Sequence, residues 1–318
     1  MGETNKRTMT HRLLIFHTDA KIYEEILRRR IPNLDIRAAS RPEEAEPFIT
    51  EAEILLSWKI PDALLRKAQR LRWFASMAAG NEHLVKNPAL PPHVLFTKAT
   101  VYGEMMAEYV FAYLLYFCRD LYKYFKDQRE RIWEPIRPGR LRGKTMGILG
   151  LGSVGRVIAQ RGKQFGMKIL GVKRVPEPMA EVDEVFGPES LDQVIPRVDY
   201  LVCALPLTPQ TEHLLGEKEL DLMKEGALLF NIGRGRTIDE KALIHLLKRK
   251  RIKAILDVFE EEPLSAESEL WGLENVIITP HVSGINLPEE ICDEFVRNYE
   301  RWVRGDPLMN RVDREKGY

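Results

Sequence analysis

The chain of 318 residues is too long for one ordinary domain and comfortable for two, and its 44% hydrophobic and 30% charged residues exclude disordered and fibrous classes. A net charge of +1 gives no global field for nucleic acid or an anionic membrane. The three cysteines, Cys118, Cys203 and Cys292, are far apart and the seven histidines lack paired spacing, which points to a reducing, cytoplasmic setting with no disulfide framework and no structural metal.

The polar stretch from Met1 to Thr10 has no apolar core, so no signal peptide is expected. Leu13 to Phe16 reads as a buried strand and Lys21 to Arg30 as a helix ended by Pro32. Ile54 to Ser57 is the next strand. Pro61 to Gln69 follows as a helix with proline in its first turn, and Leu71 to Ser76 is strand-like again. This alternation predicts a parallel sheet covered by helices.

From Gly103 to about Arg131 the spacing predicts one long helix, apolar at Met106, Val110, Tyr113, Leu114 and Phe117 and broken by Pro135, Pro138 and Gly139. Its apolar run, Tyr109 to Phe117, falls well short of the ~20 residues that span a bilayer. A second α/β region starts at Lys144. Strands are expected at Met146–Leu149, Lys168–Val172, Tyr200–Ala204, Ala227–Ile232, Ile252–Val258 and Val276–Thr279. Helices are expected at Ser153–Phe165, Glu217–Met223, Glu240–Lys250 (with Asp239 as N-cap) and Glu289–Val303. The architecture predicted is two doubly wound α/β domains, Rossmann-like and flavodoxin-like. Residues 102–284, a dinucleotide-binding domain, are inserted into a substrate domain of residues 1–101 and 285–318.

Gly150-Leu151-Gly152-Ser153-Val154-Gly155 spells G-x-G-x-x-G directly after an apolar strand and at the start of a helix, the context that turns a weak glycine pattern into a dinucleotide fingerprint. The glycines allow the tight turn, the approach of a pyrophosphate and close helix–strand packing, and the helix N-terminus offers N–H groups to the phosphates. About 20 residues further on, NAD-binding folds place an acid on the ribose 2′-OH. Lys173 and Arg174 stand there instead, with no acid before Glu177. Two cations suit a 2′-phosphate, so NADP(H) is the expected cofactor, with NAD(H) possible.

Three further segments end strands: Asn231-Ile232-Gly233-Arg234-Gly235, Asp257-Val258-Phe259-Glu260-Glu261-Glu262-Pro263 and Thr279-Pro280-His281-Val282-Ser283-Gly284. In this order and spacing they closely resemble the D-isomer-specific 2-hydroxyacid dehydrogenase family, and the resemblance covers nearly the whole chain. Cys203 to Thr208 with Thr211, Met105 to Val110, and Ser76 to Leu84 resemble the family's cofactor-flanking segment, interdomain helix and substrate loop.

The resemblance implies a hydride transfer between a nicotinamide and C2 of a small 2-keto or D-2-hydroxy acid, of the glyoxylate or hydroxypyruvate class. It implies that Arg234 clamps the substrate carboxylate and polarises the keto oxygen. His281 is the implied acid/base, and Glu262 holds its imidazole and favours the protonated form. Glu262 is chosen over Glu260 and Glu261 because it precedes Pro263; an acid there argues against a formate dehydrogenase, which has Gln. Asp257 and the Ile232 carbonyl are expected at the nicotinamide carboxamide, with Leu205, Pro206, Thr211 and Gly284 along the cofactor. The backbone at Ala79-Gly80 is expected to meet the substrate carboxylate. Trp58, Tyr102 and Met105 are candidate pocket walls, and Trp133 is a candidate for reaching a neighbouring subunit's site in a homodimer.

The chain departs from the family at the missing acid near Lys173 and at Lys250 to Leu256, which is one residue short and lacks the usual glycine. With its last residue at Tyr318, no regulatory domain is expected. The basic run Lys248 to Arg251 reads as a helix C-terminus complementing its dipole, not as a nucleic-acid patch. The rival to an enzyme is a dinucleotide-sensing binding protein, like the corepressors built on this scaffold. Tight cofactor binding without turnover distinguishes it.

Overall fold

The structure is a computed structural model, and it describes residues 11–317. The polar N-terminus read above, residues 1–10, lies outside that range. The chain divides into two compact units, residues 1–101 with 286–318, and residues 102–285.

The first unit runs β1 (Arg12–Phe16), α1 (Ala20–Arg30), β2 (Asp35–Ala39), α2 (Pro42–Ile49), β3 (Ile54–Ser57), α3 (Asp62–Leu65), β4 (Trp73–Ser76), α4 (Glu82–Val85) and β5 (Leu95–Lys98). All its strand pairs are parallel, in the order β2-β1-β3-β4-β5, the flavodoxin-like arrangement. β3 and β4 are buried at every position, as expected of strands covered on both faces.

The sequence does not lead one to expect β2, α2, α4 or β5. β2 carries Asp35 and Arg37 among its five residues, and α2 contains Pro47. The helix expected at 61–69 is a single turn. After Leu65 the chain tightens, with Lys67 N–H donating to Leu64 O (3.0 Å) and Ala68 N–H to Leu65 O (3.0 Å), which brings Ala68 and Leu71 into the core.

The second unit runs α5 (Gly103–Cys118), α6 (Leu121–Glu130), β6 (Thr145–Leu149), α7 (Ser153–Gln164), β7 (Lys168–Val172), β8 (Glu184–Phe186), α8 (Leu191–Val194), β9 (Tyr200–Cys203), α9 (Glu217–Asp221), β10 (Leu228–Asn231), α10 (Glu240–Lys248), β11 (Lys253–Leu256) and β12 (Val276–Ile278). The sheet is parallel throughout, in the order β12-β11-β10-β9-β6-β7-β8, a doubly wound Rossmann-like arrangement whose strand order reverses between β6 and β9. The single helix expected from Gly103 to Arg131 is two helices. Asp120 takes φ +52° between them, a left-handed conformation that Asp tolerates better than most residues.

α11 (Pro288–Arg304) then closes the first unit. Ile291, Cys292, Phe295 and Tyr299 make its buried stripe, with Trp73 stacked on Phe295 at 5.1 Å. Gly305, at φ +76°, ends the helix.

Asp239 caps α10 by accepting from Ala242 N–H (3.0 Å). Where the family's glycine is missing, Lys250 itself takes φ +56°. The basic run is ion-paired throughout: Lys248 to Glu269, Arg249 and Arg251 to Asp221, and Lys250 to Glu274. No helix among the described residues is long and apolar enough to cross a membrane.

Candidate active site

The carboxyl ends of β6, β9, β10, β11 and β12 are in register. Leu149 pairs with Cys203, Cys203 with Asn231, Asn231 with Leu256, and Leu256 with Ile278. The residue after each strand adds one more ladder bond: Ala204 N–H to Leu149 O (2.9 Å), Ile232 to Cys203 O, Asp257 to Asn231 O and Thr279 to Leu256 O (each 3.0 Å). The segments at 150–155, 204–211, 231–235, 257–263 and 279–284 therefore leave the sheet side by side. Crossing the four strand spacings from Gly150 to Thr279 takes roughly 19 Å.

At the β6–α7 turn, Gly150 takes φ +98°, and a Cβ on Gly155 would sit 2.0 Å from Gly150 O. Both positions therefore require glycine. Gly152 occupies the cap position of α7, no side chain caps the helix, and a Cβ there would meet nothing within 4 Å. A backbone helix N-terminus that opens onto free space fits a pyrophosphate. Leu151 is buried against Gly171, Val154 packs into the core beneath, and Ser153 begins the helix.

At the end of β7, Lys173 pairs with Glu177, whose carboxyl is held below its usual range by that hydrogen bond, and Arg174 is exposed. In the β9 segment Thr211 Oγ1 donates to Pro206 O (2.7 Å) and accepts from Thr208 N–H (2.8 Å), bracing the loop that begins at Leu205.

After β10, Asn231 folds the Arg234 turn. Its Nδ2 donates to Arg234 O (3.1 Å) and its Oδ1 accepts from Gly233 N–H (3.3 Å), while Thr237 Oγ1 adds a 2.6 Å bond to Arg234 O. Ile232 is buried. A Cβ on Gly235 would overlap the Phe259 carbonyl at 1.8 Å, so the Arg234 turn lies directly on the loop that carries Glu262.

His281 Nδ1 lies 2.8 Å from Glu262 Oε2, and Glu262 Oε1 accepts from Phe259 N–H (3.1 Å). Glu260 points elsewhere, to His213 at 3.1 Å. His281 takes φ +56°, costly for a residue with a Cβ and of the kind that clusters at functional sites. Both side chains keep solvent access, His281 at 47% and Glu262 at 37%.

Asp257, expected at the nicotinamide carboxamide, is fully buried and holds the His281 turn. Its Oδ1 accepts from Thr279 Oγ1 (2.6 Å) and Val282 N–H (2.8 Å), and its Oδ2 from Ser283 N–H (2.9 Å). Gly284 packs beside Met106 and Tyr102, and Met105 Sδ accepts from Ile285 N–H (3.3 Å). Trp58, Ala79 and Gly80 belong to the first unit. Trp58 follows β3, is exposed, and lies beneath the Lys59 ammonium at 4.9 Å. The Ala79-Gly80 loop follows β4 and is tied back by Asn81 Nδ2 to Ala78 O (3.1 Å). Asn231, Thr279 and Tyr109, which reaches Thr279 at 2.6 Å, are structural members of the site that sequence reasoning did not single out. Only the position of Asn231 and Thr279 at strand ends pointed to them.

Residues 111–283 match the NAD binding domain of the D-isomer specific 2-hydroxyacid dehydrogenases. A glyoxylate reductase of Pyrococcus furiosus is 33% identical over 93% of this chain and 90% of its own. Among solved structures, a D-isomer specific 2-hydroxyacid dehydrogenase family protein of Aeromonas salmonicida is 39% identical, with a TM-score of 0.88 over 96% of this chain and 99% of that one. An NADPH-dependent glyoxylate/hydroxypyruvate reductase of Sinorhizobium meliloti, solved with NADP and sulfate, is 26% identical with a TM-score of 0.88, covering 97% and 100%. The chain belongs to the D-isomer specific 2-hydroxyacid dehydrogenase family. It is an NAD(P)-dependent oxidoreductase acting between 2-keto and 2-hydroxy acids.

Proposed function

We propose that this enzyme is a reductase of glyoxylate, hydroxypyruvate or a closely related 2-keto acid, that it prefers NADPH, and that it forms the D-hydroxy acid. The bound nicotinamide supplies the hydride that reaches C2. Arg234 binds the substrate carboxylate and polarises the keto oxygen, a task suited to a planar, permanently charged fork. His281 gives a proton from Nε2 to that oxygen as the C–H bond forms, and takes it back in the reverse direction. Glu262, on Nδ1, orients the ring. Ala79 and Gly80 offer backbone N–H groups to the carboxylate, with Trp58, Tyr102 and Met105 as walls of the pocket.

The observation that carries this reading is the 2.8 Å His281–Glu262 bond, on a unit that also holds the glycine fingerprint. NADPH preference is supported by Lys173 and Arg174 at the end of β7 and by the NADP complex of the Sinorhizobium meliloti relative. Residues 102–284 are proposed as the cofactor-binding part, and residues 1–101 with 285–318 as the substrate part. A homodimer is proposed through α5 and α6, which leave Tyr122, Phe125 and, beyond them, Trp133 (98% exposed) on the surface. A cytoplasmic setting is proposed from the three free cysteines.

The test is the initial rate of NADPH and NADH oxidation with glyoxylate, hydroxypyruvate, pyruvate, phenylpyruvate and 2-ketoisocaproate. Fastest turnover with NADPH and one of the first two acids is expected. Turnover with NADH alone contradicts the cofactor assignment. Tight NADPH binding with no turnover of any acid in the panel contradicts the substrate assignment.

A further inference from the structure

His281 is held in an unfavourable backbone conformation by bonds on both sides of it. Its own N–H donates to Asp257 O (2.9 Å) and Thr279 O (3.0 Å), and the next two N–H groups donate to the Asp257 carboxylate. The carboxylate takes its remaining short bond from Thr279 Oγ1 (2.6 Å). A threonine hydroxyl has one proton. With that proton given to Asp257, the Thr279 oxygen is an acceptor toward Tyr109 OH, 2.6 Å away on α5. Burial raises the Tyr109 phenol well above its ordinary pKa, so it keeps its proton and can donate. The bonds from Tyr109 and Thr279 therefore run toward Asp257, whose carboxylate accepts them on one side and the two N–H groups that follow His281 on the other.

We propose that Tyr109 is a positioning residue for the acid/base: through Thr279 it fixes the Asp257 carboxylate, and through that carboxylate it fixes the turn that aims His281. Tyr109 thereby sets the geometry of proton transfer from the middle of α5 without itself touching the substrate. The proposal rests on the reading of His281 as the acid/base.

The experiment compares wild type with Tyr109→Phe, Thr279→Val, Thr279→Ser and His281→Ala. It measures kcat and KM for the fastest 2-keto acid of the panel, the solvent deuterium isotope effect on kcat, and the Kd of NADPH. A misplacement of an ångström at a catalytic group costs up to about 100-fold. Tyr109→Phe and Thr279→Val are therefore expected to lower kcat roughly 10- to 100-fold and to raise the isotope effect. KM and the NADPH Kd should stay near wild type, and Thr279→Ser should restore most of kcat. The Tyr109→Phe/Thr279→Val double variant should be no slower than the worse single one, because both break one chain. Wild-type kcat and isotope effect in Tyr109→Phe, with His281→Ala inactive, overturn this proposal alone. Loss of NADPH affinity in parallel with kcat also overturns it, because that marks general damage to the unit. Retained turnover in His281→Ala overturns the underlying reading instead.

Discussion

The turn after β6 and the turn after β12 stand at the same end of one sheet, four strands apart, and are built by opposite means. The first is backbone against backbone. Gly155 lies where a Cβ would meet Gly150 O, Gly150 supplies the positive φ, and no side chain caps the helix behind. The second also needs a positive φ but places it on His281, and restrains it with a buried carboxylate, a threonine hydroxyl and a tyrosine from another helix. A phosphate-binding turn must keep side chains away, whereas a proton-transfer turn must carry one. The side chain creates the strain that Asp257 then has to hold.

The largest effect is expected from Asp257→Ala, which orphans the Thr279 hydroxyl and the Val282 and Ser283 N–H groups in a buried site. At about 1–3 kcal/mol for each donor, melting should drop by several degrees and kcat should fall by more than about 100-fold. A variant with wild-type melting and kcat would show that the turn holds itself.

Gly155→Ala attacks the other turn. Its Cβ has no room at 2.0 Å from Gly150 O, and overpacking of about 1–3 kcal/mol is expected to weaken NADPH binding by roughly 5- to 100-fold in a fluorescence titration. Unchanged affinity would mean the glycines pack the fold and do not shape the cofactor site.

Glu262→Gln keeps a hydrogen-bonding partner for His281 Nδ1 but removes the carboxylate charge 2.8 Å from it. Charged hydrogen bonds are about twice as strong as neutral ones, so kcat is expected to fall about tenfold with little change in KM. The smallest effect is expected at the surface. Lys173→Ala with Arg174→Ala should raise the KM for NADPH severalfold and leave that for NADH unchanged, since exposed charge pairs contribute about 1 kcal/mol or less each. Equal effects on both cofactors would remove the 2′-phosphate assignment.

How far the sequence could be read follows the same contrast. The β6–α7 turn was legible because it depends on glycines at fixed spacing after an apolar run. Arg234, Glu262 and His281 were legible through strand-end segments whose order resembles a family. The bonds around them were not, because Tyr109, Thr279 and Asp257 are far apart in the chain and meet only when α5 packs beside the ends of β11 and β12. In the fold, strands with continuous apolar runs such as β3 and β10 were plain, whereas β2, with alternating charges, and β8, with three half-buried residues, carried too little signal. The break between α5 and α6 was hidden because Asp120 adopts its left-handed conformation without the glycine that usually marks one.

On the proposed function, one turn binds the cofactor and the other delivers the proton. The most direct test is to measure NADPH binding and 2-keto acid turnover together in His281→Ala. NADPH should bind with wild-type affinity while kcat falls by about 100- to 10,000-fold, the range of a lost general acid. Turnover within a few-fold of wild type, or loss of NADPH binding along with activity, would contradict that division of labour.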